Sequence, residues 1–129
     1  MKKIKFIVEK TKTGFSAYAD NFDRYPVSTT AKTLDELKVN MLDALNTWLE
    51  YKGRPLAGQE DISIKIDLPQ LFGYYKEINA KAISKRAGIN QTLLSQYVNG
   101  NKVPSAKQAE RILNEIRALG KELASLEFA

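Results

Sequence analysis

Gln91, Thr92, Ser95 and Gln96 put four polar side chains on one short segment, at spacings of one, three and four residues that gather them on one side of a helix. Such groups donate and accept hydrogen bonds. A glutamine amide pairs bidentately with the edge of adenine, so the chemistry they suit is the reading of base edges in a major groove. The other candidates are carboxylates of the first half: Asp20, Asp23, Asp35, Glu36 and Asp43. A metal-dependent nuclease needs carboxylates at ligand spacing, and these lack it. Asp35 and Glu36 suit the first turn of a helix, where the dipole favours negative charge. Asp20 and Asp23 suit a turn. The chain contains no cysteine and no histidine. That removes disulfides, thiol nucleophiles, the usual general base and the commonest zinc ligand. The expectation is a binding protein, not an enzyme, that uses no cofactor and no metal.

The elements that must position these residues follow two grammars. With 129 residues, 43% hydrophobic and 27% charged, the composition is globular. The net charge of +5 is uneven: residues 1–67 carry eleven Lys/Arg against ten Asp/Glu, and residues 68–129 nine against five. A basic second half suggests a polyanionic partner. No apolar run approaches the ~18–20 residues that span a bilayer. The basic opening Met1-Lys2-Lys3 leads into an apolar stretch too short for a signal peptide. The expected location is therefore the cytoplasm, with association to the nucleoid.

In residues 1–67 the hydrophobic pattern alternates. Ile4, Phe6 and Val8 fall on one side of a strand, and Phe15 to Ala19 form a second strand after the hairpin loop Lys10 to Thr13. Val27 to Thr30 read as a third. Thr33-Leu34-Asp35-Glu36 match a capping box. The helix that follows carries Leu34, Leu37, Met41, Leu45 and Trp48 as one apolar stripe to about Tyr51. Ile62, Ile64 and Ile66 form a fourth strand, giving the order β-β-β-α-β. Residues 68–129 are helical throughout, so the fold class is α+β with an all-α second domain. Its first helix takes Pro69 in the first turn, with Leu68, Leu71, Phe72, Tyr75 and Ile78 at helical spacing.

The segment Ala80 to Gly100 carries a specific pattern. Ile83 and Ala87 face a core, small Ser84 and Ala87 let two helices approach, and Gly88 permits the positive φ of a sharp helix end. Ile89 buries in the turn, Asn90 caps the second helix, and Leu94, Tyr97 and Val98 return to the core. The plain alternative is an αα-hairpin with a polar surface. Residues 68–117 resemble the phage-repressor-like (Xre/Cro type) helix-turn-helix family through Leu-Ser-Gln-Tyr-Val-Asn-Gly, the short basic loop and the Pro-Ser helix start. The resemblance implies that Gln91, Thr92, Ser95 and Gln96 read bases and that Lys81, Asn99, Asn101 and Lys102 sit near phosphates of double-stranded DNA. Ser84 departs from the alanine more usual there.

Residues 1–67 resemble the HicB antitoxin family. The likeness rests on Gly14-Phe15-Ser16-Ala17-Tyr18, Val27-Ser28-Thr29, Thr33-Leu34-Asp35-Glu36-Leu37 and Asp43-Ala44-Leu45. It departs at Ala31-Lys32, where Gly-Asp or Gly-Glu is usual, and at Tyr25-Pro26, where Gly-Cys is. The family fold is half of an RNase H core without its active site. The resemblance implies a protein-binding domain that caps a small basic mRNA-cleaving toxin of the HicA type, joined to a DNA-binding domain that represses the shared operon. An acidic patch made by Glu9, Asp20 and Asp23 is the candidate toxin surface; an ordinary solvated loop is the alternative. The rival from another class is a stand-alone transcriptional regulator whose first domain senses a ligand or protein.

The last helix repeats Ala109, Ile112, Ile116, Leu119, Leu123 and Leu126 at spacings of three and four, a heptad seam widened by Ala106, Leu113 and Phe128. Its first half suits packing on its own domain. Its second half, through Ile116, Leu119, Leu123 and Leu126, is expected to form a homodimer or higher homo-oligomer, with Gly120 as a point of kinking. Two-fold symmetry would match a pseudo-palindromic operator.

Overall fold

The computed structural model describes residues 3–129. Met1 and Lys2, the start of the basic opening, lie outside the described residues. The architecture is α+β, with a four-stranded mixed sheet and five α-helices. The chain forms two compact units, Met1–Ile66 and Asp67–Ala129. Asp67 falls in the second because its side chain caps the first helix there, accepting from Gln70 N at 2.9 Å.

In the first unit β1 (Ile4–Lys10) pairs antiparallel with β2 (Phe15–Ala19), and β2 antiparallel with β3 (Ser28–Ala31). Val27, expected to open β3, precedes it, but its carbonyl still accepts from Ala19 N at 3.0 Å. Helix α1 (Leu34–Tyr51) then crosses over, and β4 (Ile62–Lys65) returns parallel to β1, giving the order β3-β2-β1-β4. A parallel neighbour needs such a crossover, because a tight turn cannot reverse the chain twice. Thr33 Oγ1 accepts from Glu36 N at 3.1 Å and starts α1.

Strand alternation sends Ile4, Phe6, Val8, Ala17, Ala19 and Ile62 into the core against Leu34, Leu37, Met41, Leu45 and Leu49 of α1. Leu49, not Trp48, completes the buried stripe. Three to four residues beyond Leu45 either position is in reach, and Trp48 lies half-buried with its ring against Tyr25. The opposite face of the sheet, which carries Lys5, Ile7, Glu9, Ser16, Tyr18, Ser28 and Lys65, has no helix over it within this unit.

The second unit consists of α2 (Leu68–Tyr74), α3 (Ala80–Ala87), α4 (Gln91–Val98) and α5 (Ala106–Ala124). Phe72, Ile83, Ala87, Ile89, Leu94, Tyr97 and Ile112 make its core. Each helix begins on a side-chain cap: Asp67, Asn79, Asn90 and Ser105 accept from backbone N–H groups of the first turn. Helix α2 stops at Tyr74, although the apolar spacing runs on to Tyr75 and Ile78. Tyr75 is the C-cap, and Ile78 reaches the core from a turn. Helix α5 passes through Gly120 without interruption and ends at Ala124, so Leu126 and Phe128 lie beyond it. No helix among the described residues is long and apolar enough to cross a membrane.

Candidate nucleic-acid interface

The connection between α3 and α4 is fixed by backbone bonds. Gly88 takes φ +66°, its N–H donates to Lys85 O at 3.3 Å, and Ile89 N–H donates to Ser84 O at 2.9 Å. This pairing satisfies the last carbonyls of α3 and drops Ile89 into the core beside Ile83. Asn90 Oδ1 then accepts from Thr92 N at 2.9 Å and from Leu93 N at 3.2 Å, which starts α4 at once. Ser84 is buried where the two helices meet and satisfies its hydroxyl on Lys81 O at 2.6 Å. A small residue at this position allows close packing, so serine serves as alanine would.

Leu94 and Tyr97 anchor one side of α4 in the core. That choice fixes the other side. Gln91, Thr92 and Ser95 are exposed together, on an arc that passes Asn99 at the C-cap. Gln96 sits differently from its expected place on that arc. It is half-buried at the arc's edge, roughly 100° around the helix from Gln91 and Thr92's midline. Its carbonyl accepts from Asn101 N at 2.9 Å and Lys102 N at 3.2 Å. Those two bonds fold the loop back on the last turn of α4, so Asn99, Asn101 and Lys102 follow the polar arc as exposed residues.

Lys81 is exposed on the first turn of α3, and Lys85 lies one turn further on the same face. Lys85 is a cation that the sequence reading passed over, and the four-residue spacing is the signal that would have found it. All three arginines of this unit are committed elsewhere. Arg86 pairs with Glu122 at 2.8 Å and Glu115 at 3.7 Å, Arg117 with Glu110 at 3.5 Å, and Arg111 donates to Gly88 O at 3.4 Å. Three of the five glutamates are thus held on α5, while Lys81, Lys85 and Lys102 take part in no ion pair among the described residues. Unpaired lysines also occur on α5, at Lys107 and Lys121, but there they alternate with Glu110, Glu115 and Glu122, whereas α3 and the loop after α4 carry no carboxylate.

The seam residues of α5 divide. Ile116 and Leu119 pack against the unit's own core, Leu123 is 59% exposed, and Leu126 is 70% exposed beyond the helix end. Ile116, Leu119 and Leu123 thus share one face of α5 that emerges from the core toward its end, and Leu126 lies beyond that face.

Glu9, Asp20 and Asp23 do not gather either. Glu9 lies opposite Ser16 toward one end of the β1–β2 ladder, whereas Asp20 N–H donates to Lys5 O near the other. Glu9 accepts from Tyr18 Oη at 3.3 Å, and partial burial together with this carboxylate pushes the Tyr18 hydroxyl above its ordinary value. Asp20 pairs with Lys65 at 3.4 Å, and Asp23 is exposed in the loop between β2 and β3. Among the described residues no three carboxylates come together as a metal site. Comparison of the chain with protein-family models, with curated proteins and with solved structures gives no match.

Proposed function

We propose that residues 67–129 are a helix-turn-helix domain that binds double-stranded DNA with α4 in the major groove. The observation that carries this is the exposed arc Gln91–Thr92–Ser95–Asn99, on a helix whose other side is locked in a core. An eight-residue helix is about 12 Å long, and its N-terminal residues are the ones such domains bring to base edges. Gln91 and Thr92 occupy that first turn, with Ser95 one turn behind. Asn99 at the end of the arc, Asn101 and Lys102 in the loop after it and Lys81 on α3 suit phosphate oxygens, which set register without reading sequence. Lysine supplies point charges for this purpose without the fixed fork of arginine. The test is selection of duplexes from a random pool by the full chain. A common motif supports the reading, and recovery of unrelated sequences overturns it.

For the first unit the proposal is the role its HicB-like motifs imply: neutralising a small basic HicA-like toxin, with the full chain repressing the shared operon. The β3-β2-β1-β4 sheet backed by one helix is compatible with half of an RNase H core. Its scattered carboxylates give a nuclease no two-metal site. The docking surface is better sought on the uncovered sheet face around Ser16, Tyr18 and Glu9, or on the edge strand β3, than at Asp20, whose charge Lys65 already meets. Co-purification of the full chain with the product of the adjacent reading frame tests this. A toxin that neither binds nor is neutralised would leave a stand-alone regulator as the better account.

A further inference from the structure

A cleft of about 780 Å³ opens in the first unit where the start of β1, the loop after β2 and the segment after α1 converge. Its lining includes Lys3, Lys5, Arg24, Tyr25, Arg54 and Leu56. None of the four cations is in an ion pair among the described residues. The two carboxylates on the wall are already engaged: Asp20 with Lys65 at 3.4 Å, and Asp61, whose Oδ2 accepts from Gly58 N at 2.9 Å. The arginines are not loose. The Arg24 guanidinium lies 5.5 Å from the Tyr25 ring centroid, the Arg54 guanidinium 5.4 Å from that of Trp48, and the two rings meet edge to face at 5.5 Å. The result is a continuous array, Arg24–Tyr25–Trp48–Arg54. Guanidinium N–H groups that no carboxylate takes remain for a ligand, and the guanidinium fork matches the oxygens of a phosphate bidentately. Ile4, Leu49 and Leu56 add an apolar wall, and the cleft is of the size that takes a small organic molecule.

We propose that this cleft is a binding site for a small organic phosphate of nucleotide size, with Arg24 and Arg54 holding the phosphate and Tyr25 and Leu56 facing its organic body. The site is independent of the DNA-binding reading, because it lies in the other unit. It needs a ligand opposite in charge to a basic toxin, so the two do not compete for the same chemistry.

Trp48 is the chain's only tryptophan, so its fluorescence reports on this array alone. The full chain is titrated with adenosine 5′-monophosphate, with pyrophosphate and with adenosine, following Trp48 emission. The expected result is saturable quenching or enhancement by the two phosphates that weakens as salt rises. Adenosine should bind at least tenfold more weakly than its monophosphate. Arg24→Ala and Arg54→Ala, both at exposed positions, should each weaken phosphate binding about tenfold, and Lys102→Ala should leave it unchanged. Three results would overturn the proposal: no saturable response to either phosphate, equal binding of adenosine and its monophosphate, or loss on Lys102→Ala with none on the two arginine changes.

Discussion

The two units treat arginine in opposite ways. In the second, Arg86, Arg111 and Arg117 are all tied to protein acceptors, and the unpaired cations are lysines. In the first, Arg24 and Arg54 lie on aromatic rings with their donor edges unpaired by carboxylates, beside Lys3 and Lys5. Net charge points the other way, with +1 over residues 1–67 and +4 over residues 68–129. The lesson is that a sum over a domain says little about where its charge is concentrated. A nearly neutral unit can hold one strongly cationic cleft, while a basic unit can tie its arginines to its own acceptors and leave only lysines unpaired.

The strongest perturbation strikes the core of the second unit. Leu94→Ala removes the buried anchor of α4 and should cost the second unit about 3 kcal/mol, with loss of duplex binding. Hydrogen exchange at the amides of α3 and α4 measures it. The Trp48 response to pyrophosphate should survive that change. If it disappears as well, the two activities do not belong to separate units.

Two glycines sharpen the same contrast. At Gly14 a Cβ would meet the Ala31 carbonyl, and Lys32 Cα at 2.8 Å, both of them backbone. Gly14→Ala should therefore spread the β2–β3 edge and cost about 2 kcal/mol, read by urea denaturation. At Gly88 the obstacle is the φ of +66°, since the nearest atom is the movable end of Arg111. Gly88→Ala should cost about 1–2 kcal/mol through αL strain. A fully neutral Gly88→Ala would mean that the α3–α4 turn is not fixed as described.

How far the sequence carried these conclusions depends on the range of the interaction. Local chemistry was readable: the Thr33 and Asn90 caps, the Gly88 stop and the Ile4, Phe6, Val8 alternation all depend on neighbours within a few residues. The Asn79 cap rests on the same local rule, but apolar residues through Tyr75 and Ile78 suggest a longer α2 that hides it. Non-local choices were out of reach. Nothing in Ile62 to Lys65 specifies a parallel partner in β1. Nor does the sequence disclose that the neighbours Arg24 and Tyr25 meet Trp48 and Arg54, which lie more than twenty residues further on. The half-burial of Gln96 and the end of α5 before Leu126 follow from how much core there is to cover, which a heptad count does not measure.

Smaller effects test the surface assignments. Lys102→Ala should weaken binding to all duplexes alike and make the log–log salt slope shallower by about one unit; an unchanged slope removes Lys102 from the interface. Leu119 belongs to the unit's own core, so assembly is best probed at Leu123 alone. Leu123→Asp should change stability by less than about 0.5 kcal/mol, as exposed substitutions do. It should nevertheless shift the sedimentation coefficient toward the monomer if the end of α5 joins two copies. An unaltered oligomeric state places the contact elsewhere.

Base reading by the exposed arc of α4 is the proposal on which the rest depends. Its most direct test is anisotropy titration of the full chain on its selected duplex and on every single-base-pair variant of it, with wild type and Gln91→Ala side by side. Gln91→Ala should cost about 1–3 kcal/mol on the selected duplex and flatten discrimination at one base pair while leaving the others intact. Equal affinity of wild type and variant for every duplex would contradict it.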